Sequence, residues 1–414
     1  MTTRTALISG ASIAGPVLAY WLSEAGWDVT VVERAERLRT SGYPVDVRGA
    51  AVDVIRRMGL YDEVAEQRYR HVLVQLLAPS GRRLCTLDYG NLLSSSGSDD
   101  VELTRGVLSE ILYGATKNRA NYVFDDAITT LHDADDGVRV TFEHRRPETF
   151  DVVVGADGIH SNVRTLAFGD ESRYLHHLGP YAAVWDLPTD MFEPGTGFFY
   201  SHPGRTVLVE RPSDGAPARA FLTFVHPEPG AVDLRDPDAV LDVLHRGFAG
   251  DRWRTGEVID TLPGADDVYF DTVSQVRMDD WHSGRVALVG DAAYAPAFLS
   301  GQGTSIAIAG AYVLASELVA NDRPEQAFAA YQLRLRGYVK KNQDLALRTD
   351  GTVLARTSRQ LLRRNLKLRA VPLLQRFRLV SLLQAKLRTA ANDLTLADRD
   401  LRTAAHHRGH GATR

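Results

Sequence analysis

Residues 5–34 read TALISGASIAGPVLAYWLSEAGWDVTVVER, and this stretch decides the fold. Ala6-Leu7-Ile8 is a short apolar burst, the pattern of a strand buried on both faces. From Ile13 onward Val17, Leu18, Trp21 and Leu22 recur at helical spacing. After Gly26 comes a second burst, Val29-Thr30-Val31-Val32, ending in Glu33-Arg34. Strand, glycine-rich turn, helix and strand form a βαβ unit. Thr5 to Ser23 carries no charge and follows Arg4, which imitates an export signal or a short membrane span. Gly10, Gly15 and Pro16 interrupt that run, and a buried core accounts for the missing charge. No other segment reads as long and apolar enough to cross a bilayer.

The turn is Gly10-Ala11-Ser12-Ile13-Ala14-Gly15, a variant of the Gly-x-Gly-x-x-Gly nucleotide fingerprint with Ser12 at its middle glycine. Gly10 permits the tight turn, and Gly15 lets the helix approach the sheet. The helix N-terminus offers free N–H groups and partial positive charge to a pyrophosphate. Ser12 is small, and its hydroxyl can donate a hydrogen bond in place of backbone. Glu33, 18 positions after Gly15, is placed to accept hydrogen bonds from ribose hydroxyls. A carboxylate there disfavours a 2′-phosphate, while the adjacent Arg34 leaves that option open.

Two later stretches repeat the pattern of a valine-rich strand running into a turn. Asp151-Val152-Val153-Val154 leads into Gly155-Ala156-Asp157-Gly158. Arg285-Val286-Ala287-Leu288-Val289 leads into Gly290-Asp291-Ala292-Ala293, then Pro296 and Gly301-Gln302-Gly303-Thr304, before an apolar helix from Ser305 to about Val319. Ligands of open α/β sheets sit beyond the carboxyl ends of the strands, where Asp157 and Asp291 both fall. Each Asp also reads as an ordinary turn or N-cap residue.

The chain has 414 residues, which at roughly 150 per domain suggests two or three domains. Its 48 Lys+Arg against 52 Asp+Glu give a net charge of −4, too little basic excess for a nucleic-acid partner. The single cysteine, Cys85, excludes an intrachain disulfide and a cysteine-cluster metal site, and points to a reducing, cytoplasmic setting. No metal site is expected.

In order, Gly-x-Ser-x-x-Gly with Glu33, then Asp157-Gly158, then Gly290-Asp291 with Pro296 and Gly301-Gln302-Gly303 resemble the FAD-dependent aromatic hydroxylases. These are single-component flavoprotein monooxygenases, related to tetracycline-modifying and polyketide-tailoring enzymes. The resemblance runs from about residue 4 to about residue 345. It implies a Rossmann-like FAD-binding α/β domain interleaved with a mostly β substrate domain, plus C-terminal helices. It implies that Gly10, Ser12, Ile13, Ala14, Gly15 and Glu33 hold the ADP half of FAD, with Arg34 a further cofactor-binding candidate beside them. Asp157 and Gly158 would serve FAD and a visiting NADPH or NADH. Asp291 would bond the ribityl chain, Pro296 would border the isoalloxazine, and Gly301, Gly303 and Thr304 would meet its pyrimidine edge. Arg105, followed by Leu108, matches an Arg-x-x-Leu helix that reaches FAD, with Thr104 as N-cap and Leu108, Ile111 and Leu112 as its apolar face. Arg48 falls near the flavin in relatives, and a salt bridge explains it equally well. Tyr294 departs from the family's histidine, through a packing exchange or through an effect on flavin movement.

The implied reaction is monooxygenation of an aromatic or polyketide-like molecule by NAD(P)H and O₂ through a flavin C4a-hydroperoxide. No catalytic side chain is assigned and the oligomeric state is open. Baeyer–Villiger insertion, dehydrogenation and a non-catalytic ligand-binding relative are the alternatives. The Trp-x-Trp-x-Ile-Pro motif of flavin halogenases is absent.

The expected layout is FAD-binding parts at 1–72, 101–172 and 281–345. A substrate-side hairpin at 73–100 and a substrate sheet at 173–280 interrupt them, and helices and a tail follow at 346–414. Trp185, Phe198, Phe199, Tyr200, Phe221 and Phe224 are candidate pocket residues, of which about half should face the domain core instead. From Ser358 to Arg388 the chain is basic and helical with no Asp or Glu, and Pro372 is expected to break it in two. It reads as a helix packed across both domains or as a membrane-surface or partner segment. His406-His407-Arg408-Gly409-His410 reads as a tail.

Overall fold

A computed structural model of the chain describes residues 3–39, 42–69, 72–88, 99–226, 232–233, 236–376, 393–396 and 401. The first strand, Thr5–Ser9, lies at the heart of a six-stranded sheet. It pairs in parallel with Asp28–Glu33 on one side and Val152–Gly155 on the other. Val286–Leu288 and Asn121–Phe124 extend the sheet in parallel, and His282–Ser283 closes one edge antiparallel. Val152 to Val154 are fully buried, as an uninterrupted valine run in a parallel strand requires.

The uncharged N-terminal run is a strand plus the helix Ala14–Glu24, buried from Ala14 to Leu22. A second apolar helix, Gly303–Ala320, packs against it. With 18 residues and a mean hydropathy of 1.5, this helix does reach the length and apolarity of a membrane span, contrary to the sequence expectation. Its side chains are spent on the core, where helices 14–24 and 324–353 cover it.

A seven-stranded sheet forms the second layer, in the order Val268–Val276, Leu175–Leu187, Ala218–Val225, Arg205–Arg211, Thr196–His202, Leu73–Leu77, Arg83–Asp88. Its hairpin 73–88 turns at Gly81, whose N–H donates to Ala78 O at 2.8 Å with φ +82°. The two sheets take their strands from alternating stretches of the chain. A two-stranded ribbon, Pro44–Val47 with Val101–Thr104, lies beside the N-terminus of helix 303–320.

Helix Ser358–Arg376 runs through Pro372 without the expected break. Leu361, Arg364, Asn365 and Val371 bury one face, and Val371 and Leu368 pack with Phe199 on the hairpin side of the seven-stranded sheet. That packing outweighs the roughly 3 kcal/mol propensity cost of an interior proline. Helix Pro324–Val353 meanwhile packs on helix 303–320, so the C-terminal helices cover both layers. The rest of the basic segment to Arg388, and the histidine tail, lie outside the described residues.

Candidate functional site

Gly10 has φ +108°, and a Cβ there would stand 2.4 Å from Ala156 O. A Cβ on Gly15 would stand 1.9 Å from Gly10 O. Both glycines are therefore steric necessities of three backbones meeting. The Glu33 carboxylate ties the turn to the end of its strand, accepting from Ala11 N at 2.9 Å and Ala35 N at 3.0 Å. Ser12 Oγ accepts from Arg105 Nη2 at 3.0 Å, so the hydroxyl that replaces the fingerprint glycine meets the arginine of a distant helix. That helix, Arg105–Thr116, buries Leu108, Ile111 and Leu112, while Thr104 occupies the N-cap position without a side-chain cap bond.

Two chambers open around this turn. The larger, about 460 Å³, is lined by Gly10, Ser12, Glu33, Arg34, Asp157 and Gly158, among others. The smaller, about 240 Å³, is lined by Ile13, Ala14, Asp291, Pro296, Gly301, Gly303 and Thr304. Ser12, Arg105 and Gly158 border both, so the chambers meet along one elongated cleft. Two of the sequence candidates stand outside it. Gly15 packs under the turn. Arg48 lines neither chamber, because its guanidinium is held 2.7 Å from Asp46 and is nearly buried there.

The two turn aspartates have different surroundings. Asp157 accepts from Ser161 Oγ at 2.5 Å and Val163 N at 3.0 Å, which makes it the organiser of its own turn. Asp291 accepts no hydrogen bond among the described residues and is exposed to the smaller chamber, where Arg105 is the opposing charge that acts on it. Enclosure by protein raises its carboxyl above the usual carboxylate range, and Arg105 works against that shift.

Next to Gly158, His160 joins the two layers. Its Nδ1 lies 2.9 Å from Glu171 Oε1 and its Nε2 lies 3.0 Å from Asp271 Oδ2 on the seven-stranded sheet. Hydrogen bonds to Asp271 and then Glu171 push the imidazole up to about 9. Arg164, with no exposed side-chain surface, donates to Glu171 at 2.6 Å, to Ile159 O at 2.7 Å and to Ala292 O at 3.0 Å. A group raised above its unfolded value stabilises fully below that value, near 6.5, and loses the contribution as pH rises through about 9. Thermal scans of the wild type should fall between those limits by about 1 kcal/mol after screening, and His160→Asn should flatten the fall.

Sequence reasoning missed the aromatic wall. Tyr43, Tyr269 and Phe298 converge from three distant segments, with Tyr269 stacked on Phe298 at 5.6 Å and Tyr43 edge-on to both at 5.3 and 5.1 Å. The run Val268-Tyr269-Phe270 carried a strand signal that could have drawn attention to it. Of the aromatic candidates, Trp185 borders the larger chamber and Phe221 the smaller. Phe198, Tyr200 and Phe224 pack in the second core and Phe199 under helix 358–376.

Tyr294 does not face the cleft. It is 1% exposed, its hydroxyl lies 3.0 Å from that of Tyr331, and a Cβ on Gly310 would collide with it at 2.1 Å. Tyr294→Phe should cost about 1 kcal/mol of stability in a melting experiment and leave turnover unchanged.

A family model described as FAD binding domain matches residues 3–342. The chain belongs to the FAD-binding flavoprotein monooxygenases. A protein of Mycobacterium tuberculosis described only as uncharacterised is 42% identical over 342 residues, 82% of this chain and 92% of that protein. A flavin-dependent monooxygenase of Legionella longbeachae is 35% identical over 338 residues, 81% of this chain and 86% of that protein. Among solved structures, tetracycline destructase Tet(55) superposes with a TM-score of 0.82 at 32% identity, covering 96% of this chain and 99% of the other.

FAD fits the cleft of this flavoprotein. A Cβ on Gly158 would meet nothing within 4 Å, and one on Gly303 would sit 3.6 Å from Asp291 Oδ1 and 3.9 Å from Pro296. Gly303 and Thr304 open a helix, where backbone N–H groups have no intrahelical acceptor.

Proposed function

We propose that this flavoprotein hydroxylates an aromatic, polyketide-like small molecule with NAD(P)H and O₂. In this reading the ADP half of FAD lies in the 460 Å³ chamber and the isoalloxazine in the 240 Å³ chamber. The observation that carries it is the meeting of the two chambers at Arg105, with the Tyr43–Tyr269–Phe298 wall around the smaller one.

When bound, FAD supplies hydride acceptance from the pyridine nucleotide and activation of O₂. The chain positions and shields. Gly10, Ala11, Ser12 and Arg34 border the chamber that receives the pyrophosphate and adenosine, while Ile13 and Ala14 border the isoalloxazine. Arg105 opposes charge where the chambers join. Asp291 accepts hydrogen bonds from the polyol chain. The aromatic wall orients the substrate ring and excludes water, which favours transfer of oxygen to carbon over release of H₂O₂. The enzyme works in the cytoplasm, where Cys85 stays a thiol.

The test is purification of the protein with its flavin, followed by NADH and NADPH oxidation assays against a panel of aromatics. Tetracycline-like polycycles head the panel because Tet(55) is described as a tetracycline destructase. Substrate-stimulated O₂ uptake with a product heavier by one oxygen atom supports the proposal. Turnover with no oxygen in the product, or none with any aromatic, overturns it.

A further inference from the structure

Asp46 lies on the short strand Pro44–Val47 and stands directly opposite Glu102 on the antiparallel partner Val101–Thr104. Its side chain is 16% exposed and borders the 240 Å³ chamber. Oδ1 accepts from Arg48 Nη2 at 2.7 Å. Oδ2 receives no hydrogen bond among the described residues, and it lies 3.4 Å from the place a Cβ on Gly301 would take. The strand is pinned to the helix that begins at Gly303. Ser305 Oγ donates to Asp46 O at 2.8 Å and accepts from Arg48 N at 3.0 Å. One free carboxyl oxygen is thereby held against Gly301, two residues ahead of the helix that begins at Gly303.

We propose that Asp46 keeps a proton on Oδ2 at neutral pH and donates it as a hydrogen bond to the acceptor edge of the bound isoalloxazine, so that flavin is held less tightly once that proton is lost. The proposal rests on the placement of the isoalloxazine in the smaller chamber. Backbone N–H groups of Gly303 and Thr304 select a ligand edge made of acceptors, and an ionised carboxylate beside them would repel that edge. A protonated one extends the row of donors.

Burial between the ribbon and the helix favours the proton. Burial raises the Asp46 carboxyl most, Glu102 across the ribbon and Asp100 raise it further, and Arg48 opposes them through charge and a hydrogen bond. Together they bring it to about 7. The helix packed against this strand carries no charged side chain before Glu317. A like-charge pair directly across two strands is itself unfavourable, and protonating one member relieves it.

The experiment dilutes the flavin-loaded protein at pH values from 5.5 to 9 and reads released FAD by its fluorescence. The dissociation constant of the wild type should rise about tenfold from an onset near pH 7, the worth of one hydrogen bond. Asp46→Asn keeps a donor that does not titrate, so its profile should be flat through that range. The visible band of bound flavin should shift about one pH unit above the onset of release in the wild type, because a ligand held tenfold tighter by the protonated form raises the bound-state midpoint by that much, and stay still in Asp46→Asn. Identical pH profiles for the two proteins overturn the proposal. Gly303→Val tests the placement separately. If it blocks FAD while Asp46→Asn matches the wild type at every pH, the role of Asp46 fails and the placement stands. If it binds FAD normally, the placement falls as well.

Discussion

Valine at position 10 is expected to remove both the bound FAD and most of the folding stability. Gly10 sits at φ +108°, a region that β-branched residues scarcely visit. The added Cβ would also meet Ala156 O at 2.4 Å. Neither backbone has room to retreat. Gly10 N donates to Val32 O and Ala156 N donates to Ser9 O, each at 2.8 Å, so relief of the clash breaks the pairing of three central strands. Backbone strain and lost ladder bonds together exceed about 4 kcal/mol, a large part of the stability of a typical domain. Denaturant unfolding and the flavin content of purified protein measure the two effects. A variant with wild-type midpoint and full flavin would show that this turn is not the tight crossing described.

Asp291→Ala is expected to weaken FAD binding by about 10- to 100-fold while leaving the apoprotein as stable as before. The carboxylate has no hydrogen-bond donor among the described residues and is exposed to the chamber, so removing it breaks no contact that holds the apoprotein together. A ligand presenting hydroxyl donors would satisfy it, and hydrogen bonds to a charged acceptor contribute about 1.5–3 kcal/mol. FAD titration by fluorescence and melting of the apoprotein separate the two outcomes. Equal loss of affinity and stability would instead make Asp291 a structural turn residue. Asp157 already has that character, with Ser161 and Val163 as its partners.

The two aspartates show how far the sequence could be read. Both follow a valine burst and a glycine, and nothing local distinguishes them. Asp157 is answered by a serine four residues on and by a nearby backbone N–H, whereas Asp291 is left facing a chamber built by other segments. Tyr294 is a similar case. Its place next to the Gly-Asp motif allows a role at the flavin or a packing exchange, and its hydroxyl packs against Gly310 and Tyr331. Arg48 read equally well as a neighbour of the flavin or as a salt-bridge partner, and it pairs with Asp46, the residue that lines the chamber.

By itself the sequence determined the βαβ opening, the family and the order of the glycine and aspartate motifs along the chain. Those signals are local. Apolar periodicity, turn glycines and strand ends are set by neighbours a few residues apart. Tertiary structure decided which side chains share a chamber. Arg105 reaches Ser12 because two helices pack, and Asp46 opposes Glu102 because of one antiparallel register. Tyr43, Tyr269 and Phe298 form a wall only after the ribbon at Pro44, the seven-stranded sheet and the turn ahead of Gly303 come together. In a strand, successive side chains point to opposite faces, so which residue meets the ligand depends on pairings made across the whole chain.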